Sequence, residues 1–150
     1  MNYKELVEKD YVKAFKSNTN IAKDTLKLLK VAIDNWEKVN KKEIPKKEFY
    51  DLVHKQIDIR QKALVMLTGN ESNDLVQKII DSNLKNGIEI DVLMDYLPSQ
   101  LTDLQLAQEV NIFKKDVYTG GQINKQAKAY FEQHFFAMYD PKKLNLLLKD

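Results

Sequence analysis

The side chains of this chain best able to do chemistry are few, and most of them are lysines. Cysteine is absent, which excludes disulfides, thiolate nucleophiles and thiolate metal sites. Two histidines, His54 and His134, are the only side chains that ordinarily titrate near neutrality. His54 shares helical spacing with Asp51 and Asp58, which would set three metal-capable groups on one helix face. That face lies opposite the apolar stripe of its helix, where such mixtures simply meet solvent, so no metal site is expected. His134 falls inside an apolar stripe and is expected at the core or its boundary with a satisfied ring. No phosphate-binding glycine loop and no Gly-x-Ser-x-Gly turn occurs. The residues thus predict no catalytic group, no cofactor and no enzyme.

The lysines suggest binding instead. Lys23, Lys27 and Lys30 recur at spacings of three and four, with Lys38 nearby on the same face. Lys41-Lys42 and Lys46-Lys47 carry the positive charge into the following loop, while Asp24, Asp34 and Glu37 dilute it. Lys125, Lys128, Lys142 and Lys143 form a second, smaller group. Lysine neutralises phosphate without reading a base, so this chemistry suits contact with a nucleic-acid backbone. Arg60 is the only arginine, and with Gln56 it interrupts an otherwise apolar stripe. A guanidinium placed there needs acceptors, because an unpaired buried charge is very costly. An acid of the next helix, Glu89 or Asp95, is its expected partner; contact with phosphate is the other reading.

These groups must be positioned by long elements. Only four Gly and three Pro leave few turns in 150 residues, and hydrophobic residues at 43% suffice for a core. No strand-like alternation appears, whereas helical spacing is nearly continuous, so the fold class is all-α. Helices are expected near 2–17, 21–40, 46–67 and 72–97. The second carries Leu26, Leu29, Ile33 and Trp36, and the third buries Phe49, Leu52, Val53, Leu64 and Leu67. The fourth is apolar on more than one side (Leu75, Ile79, Leu84, Ile88, Ile90, Leu93), which predicts a central position. Gly87 in its interior costs about 1 kcal/mol relative to Ala, which predicts a kink or close packing there.

Residues 93–106 then stop one helix and start another. Pro98 disfavours helix at Leu97, Thr102 and Gln105 make a capping box, and Leu101 and Leu106 occupy the two positions of a hydrophobic staple. This joint divides the chain into a helical N-terminal domain, 1–97, and a small helical C-terminal domain, 98–150. The latter is expected to hold helices at 103–118 and 122–138 and a short last helix opened by Asp140-Pro141.

Charge follows this division unevenly. Residues 1–70 hold 15 basic and 10 acidic side chains, whereas residues 71–110 hold 2 and 8. Residues 111–150 return to 7 basic and 4 acidic. Such a pattern attracts a polyanion to the two ends and repels it from the middle. The first residues show no apolar signal core, and no run approaches a membrane span, so a soluble cytoplasmic protein is expected.

Several segments resemble the GatB/YqeY family, comprising YqeY-like proteins and the tail of the GatB subunit of the glutamine-dependent aminoacyl-tRNA amidotransferase. Thr25 to Asn35 is similar to that family's Thr/Leu/Arg-rich turns ending in Ala-Ile-x-Asn. Arg60-Gln61-Lys62 resembles its Arg-x-Lys/Arg pattern, and Asp74-Leu75 an Asp-Leu pair opening the next helix. Tyr96-Leu97-Pro98-Ser99-Gln100-Leu101 resembles its Tyr-Leu-Pro-x-Gln-Leu, the most specific of these pieces. Near the end, Gly121, Asp140, Lys142 and Asn145 resemble scattered family positions, but Phe135 to Pro141 stand where the family carries Gly-Arg-Ala-Asp-Gly. The resemblance implies an all-helical, two-part protein without catalysis of its own, whose partner is tRNA or another structured RNA. The lysines named above and Arg60 would make that contact. An adaptor docking on an amidotransferase or another protein through Phe135 and Phe136 is the alternative.

Overall fold

The computed structural model describes residues 2–149. Among them are seven α-helices, one π-helical turn and no strand. The chain divides into two compact units, Met1–Tyr96 and Leu97–Asp150.

The first unit holds α1 (Tyr3–Lys16), α2 (Asn20–Asn40), α3 (Lys46–Lys62) and α4 (Asn73–Met94). Asn2 opens α1 through a capping box, its side chain accepting from Glu5 N–H at 2.8 Å. The central element is α2, which packs against α1, α3 and α4. Its Leu26, Leu29 and Ile33 are buried with Val7, Phe49, Val53 and Leu93. The expectation that α4 is central is therefore corrected. Only Glu89 and Leu93 of that helix are buried, while Leu75, Ile80, Leu84 and Ile88 remain exposed. Nor does close packing explain Gly87, since a Cβ built there would meet nothing within 4 Å.

The third helix stops at Lys62, five residues before its expected end at 67, and Leu64 and Leu67 are exposed rather than buried. Polar side chains of the neighbouring segments capture the backbone that the helix would have used. Asn83 of α4 accepts from Val65 N–H at 3.0 Å and donates to Val65 C=O at 2.8 Å. Glu71 accepts from Thr68 N–H at 2.7 Å and Gly69 N–H at 3.0 Å.

The second unit holds α5 (Asp103–Ile112), the π-helical turn (Phe113–Val117), α6 (Ile123–His134) and α7 (Pro141–Leu148). Thr102 and Gln105 form the capping box, at 3.1 and 2.9 Å, and Leu101 packs on the cluster containing Leu106. That core comprises Leu106, Val110, Phe113, Ala127, Phe131, Leu144 and Leu148. α6 ends at His134, not 138. Ala137 takes a left-handed backbone, φ 58°, and its carbonyl accepts from Gln100 Nε2 at 2.7 Å. Met138 C=O accepts from Leu101 N–H at 2.7 Å, so residues 137–138 are tied to 100–101 instead of continuing the helix. His134, expected at the core or its boundary, is exposed, its ring centroid 4.6 Å from that of the half-buried Tyr130.

Candidate nucleic-acid interface

The expected lysines do not form one uniform surface. At the α1 side of α2, several are already engaged. Lys30 pairs with Glu8 and lies 6.0 Å from the centre of the Tyr11 ring. Lys23 sits 5.6 Å from the centre of Phe15 and is half-buried. Lys4 spans to Asp34 at 2.9 Å, and this bond holds its ammonium above the ordinary lysine pKa. Of the Lys23, Lys27 and Lys30 series, Lys27 alone is exposed.

The other end of α2 differs. Lys38, Lys41, Lys42, Lys46 and Lys47 are all exposed around the turn into α3. The turn is held in place from beneath. Ile44 is buried, its N–H donates to the Glu37 carboxylate at 3.0 Å, and Lys41 ends α2 in left-handed backbone with φ 54°. Pro45 caps α3 in extended backbone, just outside the helix, where its missing N–H costs nothing.

Aromatic rings line this corner. Lys42 Nζ lies 5.9 Å from the centre of Trp36, and Lys46 Nζ lies 5.9 Å from that of Tyr50. At that range a ring face attracts an ammonium, which directs two of the five cations. Tyr3 stacks on the buried Phe49 at 4.2 Å and meets Tyr50 at 6.3 Å, anchoring the corner to the core. Three acids share the corner and offset part of its positive charge. Glu37 is occupied by Ile44 N–H, with Lys4 at 3.8 Å, and Glu48 stands in the first turn of α3, where the helix dipole favours it. Glu43 is the exposed acid within the loop.

Arg60 does not join this surface. It is 7% exposed, with Nε 3.4 Å from Glu89 Oε2, and Nη1 donates to Gln56 C=O and Gln56 Oε1 at 3.0 Å each. Burial removes it from the set available to RNA, and Glu89 is one of its two expected partners. In the second unit, Lys125, Lys128, Lys142 and Lys143 are all exposed. Lys143 is bonded to Asp103 at 2.9 Å, which raises its pKa. Phe135 and Phe136, expected to be exposed, are half-buried, and Phe135 packs on the core of this unit.

The fold adds a further cationic group that sequence reasoning missed. Lys9, Lys13 and Lys16 line a shallow groove of α1 with Val12 and Ser17. Their spacing of four and three is the signal that could have found them. For His54, Asp51 and Asp58, no group of three metal-capable side chains converges among the described residues, and Asp58 bonds Lys62 at 2.9 Å. No described helix is long and apolar enough to cross a membrane.

The family model described as Yqey-like protein matches residues 4–129, most of the chain. The chain belongs to that family. No curated protein matches it.

Proposed function

We propose that this YqeY-family protein is a non-catalytic module that holds tRNA or another structured RNA through its lysine surfaces. The observation carrying this reading is the α2–α3 corner, where five exposed lysines surround an anchored turn and two of them lie over aromatic rings. Lysine heads at a fixed turn suit phosphates presented by a folded RNA, whose shape rather than base sequence is then read. Lys27 adds to the first unit's cationic surface, as do the α1 lysines, and Lys125, Lys128, Lys142 and Lys143 give the second unit one of its own. The related amidotransferase tail supports the same partner by resemblance. Work in the cytoplasm fits both that partner and the absence of cysteine.

Fluorescence anisotropy of labelled tRNA with the full chain tests the reading. Lys41→Glu/Lys42→Glu is expected to weaken binding at least tenfold, because each reversal both removes a phosphate contact and adds repulsion. Undiminished binding by that variant would overturn the assignment of the corner.

A further inference from the structure

The first unit also presents a surface that its own packing leaves unused. Ile80, Leu84 and Ile88 follow one another at intervals of four along α4, forming a continuous stripe on one helix side. All three are exposed, Leu84 at 63%. Beside them runs the Leu64-Val65-Met66-Leu67 segment, exposed throughout, with Met66 at 88%. The two are adjacent, because Asn83, the neighbour of Leu84, holds both backbone groups of Val65. Asn83 and Glu71 fix the ends of this segment, so its apolar side chains are displayed on a specified backbone.

Gly87 lies on the same side, three residues after Leu84, and internal packing gives no reason for it. A glycine inside a helix costs about 1 kcal/mol, and it permits close approach of another backbone. Charge narrows the occupant. Asp91 closes the C-terminal end of the stripe and Asp81, which accepts from Gln77 Nε2 at 2.9 Å, borders it, both exposed; Lys78 and Lys85 lie within a turn of Asp81 but farther round the helix from the stripe. An anionic surface would be repelled from these acids.

We propose that this face of α4, with the Leu64–Leu67 loop, is a docking groove for a basic amphipathic helix of a partner protein. Apolar side chains at intervals of three and four would fill the stripe, and flanking lysines or arginines would meet Asp81 and Asp91. The closest crossing would fall at Gly87.

The test is an amide-shift titration of the full chain with a Leu/Lys amphipathic peptide of about 18 residues, long enough to form a helix. Saturable shifts confined to 64–67 and 80–91 are expected, with Leu84→Asp weakening the affinity at least tenfold. A circular-dichroism melt checks that this exposed substitution leaves the fold intact. Gly87→Ala is expected to weaken peptide binding severalfold while raising the melting temperature, a combination that a purely structural role would not produce. The proposal is overturned by shifts elsewhere or none, by unchanged affinity in Leu84→Asp, or by equal binding of a Leu/Glu peptide of the same pattern. It is equally overturned if these amides respond instead to anionic phosphatidylglycerol vesicles or to self-association of the chain.

Discussion

Arg60 of α3 and Glu89 of α4 face each other across their hairpin, Nε 3.4 Å from Oε2, with both side chains nearly sealed from water. Two acceptors of Gln56 take Nη1, whereas Nε–H makes no hydrogen bond, so the pair is charge-matched but incompletely satisfied. Removing one partner strands the other as a buried charge. Glu89→Ala is expected to cost about 3–5 kcal/mol, whereas Arg60→Met with Glu89→Leu should cost far less, since an apolar pair needs no compensation. Urea denaturation of Glu89→Ala and of the double variant measures this. Equal destabilisation in the single and double variants would show that packing, not the stranded charge, sets the cost.

Gly87 should be improvable for stability. With nothing within 4 Å of an added Cβ, Gly87→Ala is expected to gain up to about 1 kcal/mol from helix propensity alone. A thermal melt reads this directly, and a fall in melting temperature would mean that a neighbour does meet the new methyl.

Ala137 sits at φ 58° while its carbonyl is held by Gln100. A left-handed backbone costs a residue with a Cβ about 1–2 kcal/mol, and a β-branched side chain more. Ala137→Val is therefore expected to destabilise the protein, and Ala137→Gly to leave it unchanged or slightly more stable. Chemical denaturation of both variants orders them against the parent chain.

Glu71 gives the loop after α3 a pH dependence. The Thr68 hydroxyl and then the Thr68 and Gly69 amides hold its carboxyl at about 2, below its ordinary 4.5. A depressed folded-state pKa means the clamp contributes fully above 4.5 and fades as the pH falls through 2. Hydrogen exchange at Thr68 and Gly69 should accelerate relative to the intrinsic rate over that window, and Glu71→Gln should abolish the change.

Much of the fold is legible in the sequence because its signals are local. The Thr102–Gln105 capping box, the Asp140–Pro141 helix start and the stripe of Leu26, Leu29 and Ile33 each depend on residues within a turn or two. Where expectation and structure part, a distant partner is the cause. Nothing near Leu64 announces that Asn83, 18 residues beyond Val65, will take that residue out of the helix. Likewise, Gln100 reaches 37 residues forward to Ala137 and so ends α6 early. The apolar breadth of α4 suggests burial, but periodicity shows only that a side is apolar, not what covers it.

The candidate site is legible in part for the same reason. Lys41, Lys42, Lys46 and Lys47 are neighbours in sequence and remain neighbours in the fold. Which lysines are spent internally is not readable, because Glu8 and Phe15 belong to α1 and meet Lys30 and Lys23 only through packing. Burial of Arg60 follows from its place in an apolar stripe; its choice of Glu89 over Asp95 needs the packed hairpin.

The central claim, that lysines at the α2–α3 corner take RNA phosphates, is tested most directly by the salt dependence of tRNA affinity. The logarithm of the binding constant should fall steeply and linearly with the logarithm of salt concentration. In Lys41→Glu/Lys42→Glu/Lys46→Glu/Lys47→Glu that slope should shrink by about 0.7–0.9 for each phosphate no longer neutralised. An affinity indifferent to salt, or a slope identical in the parent and the fourfold variant, would contradict it.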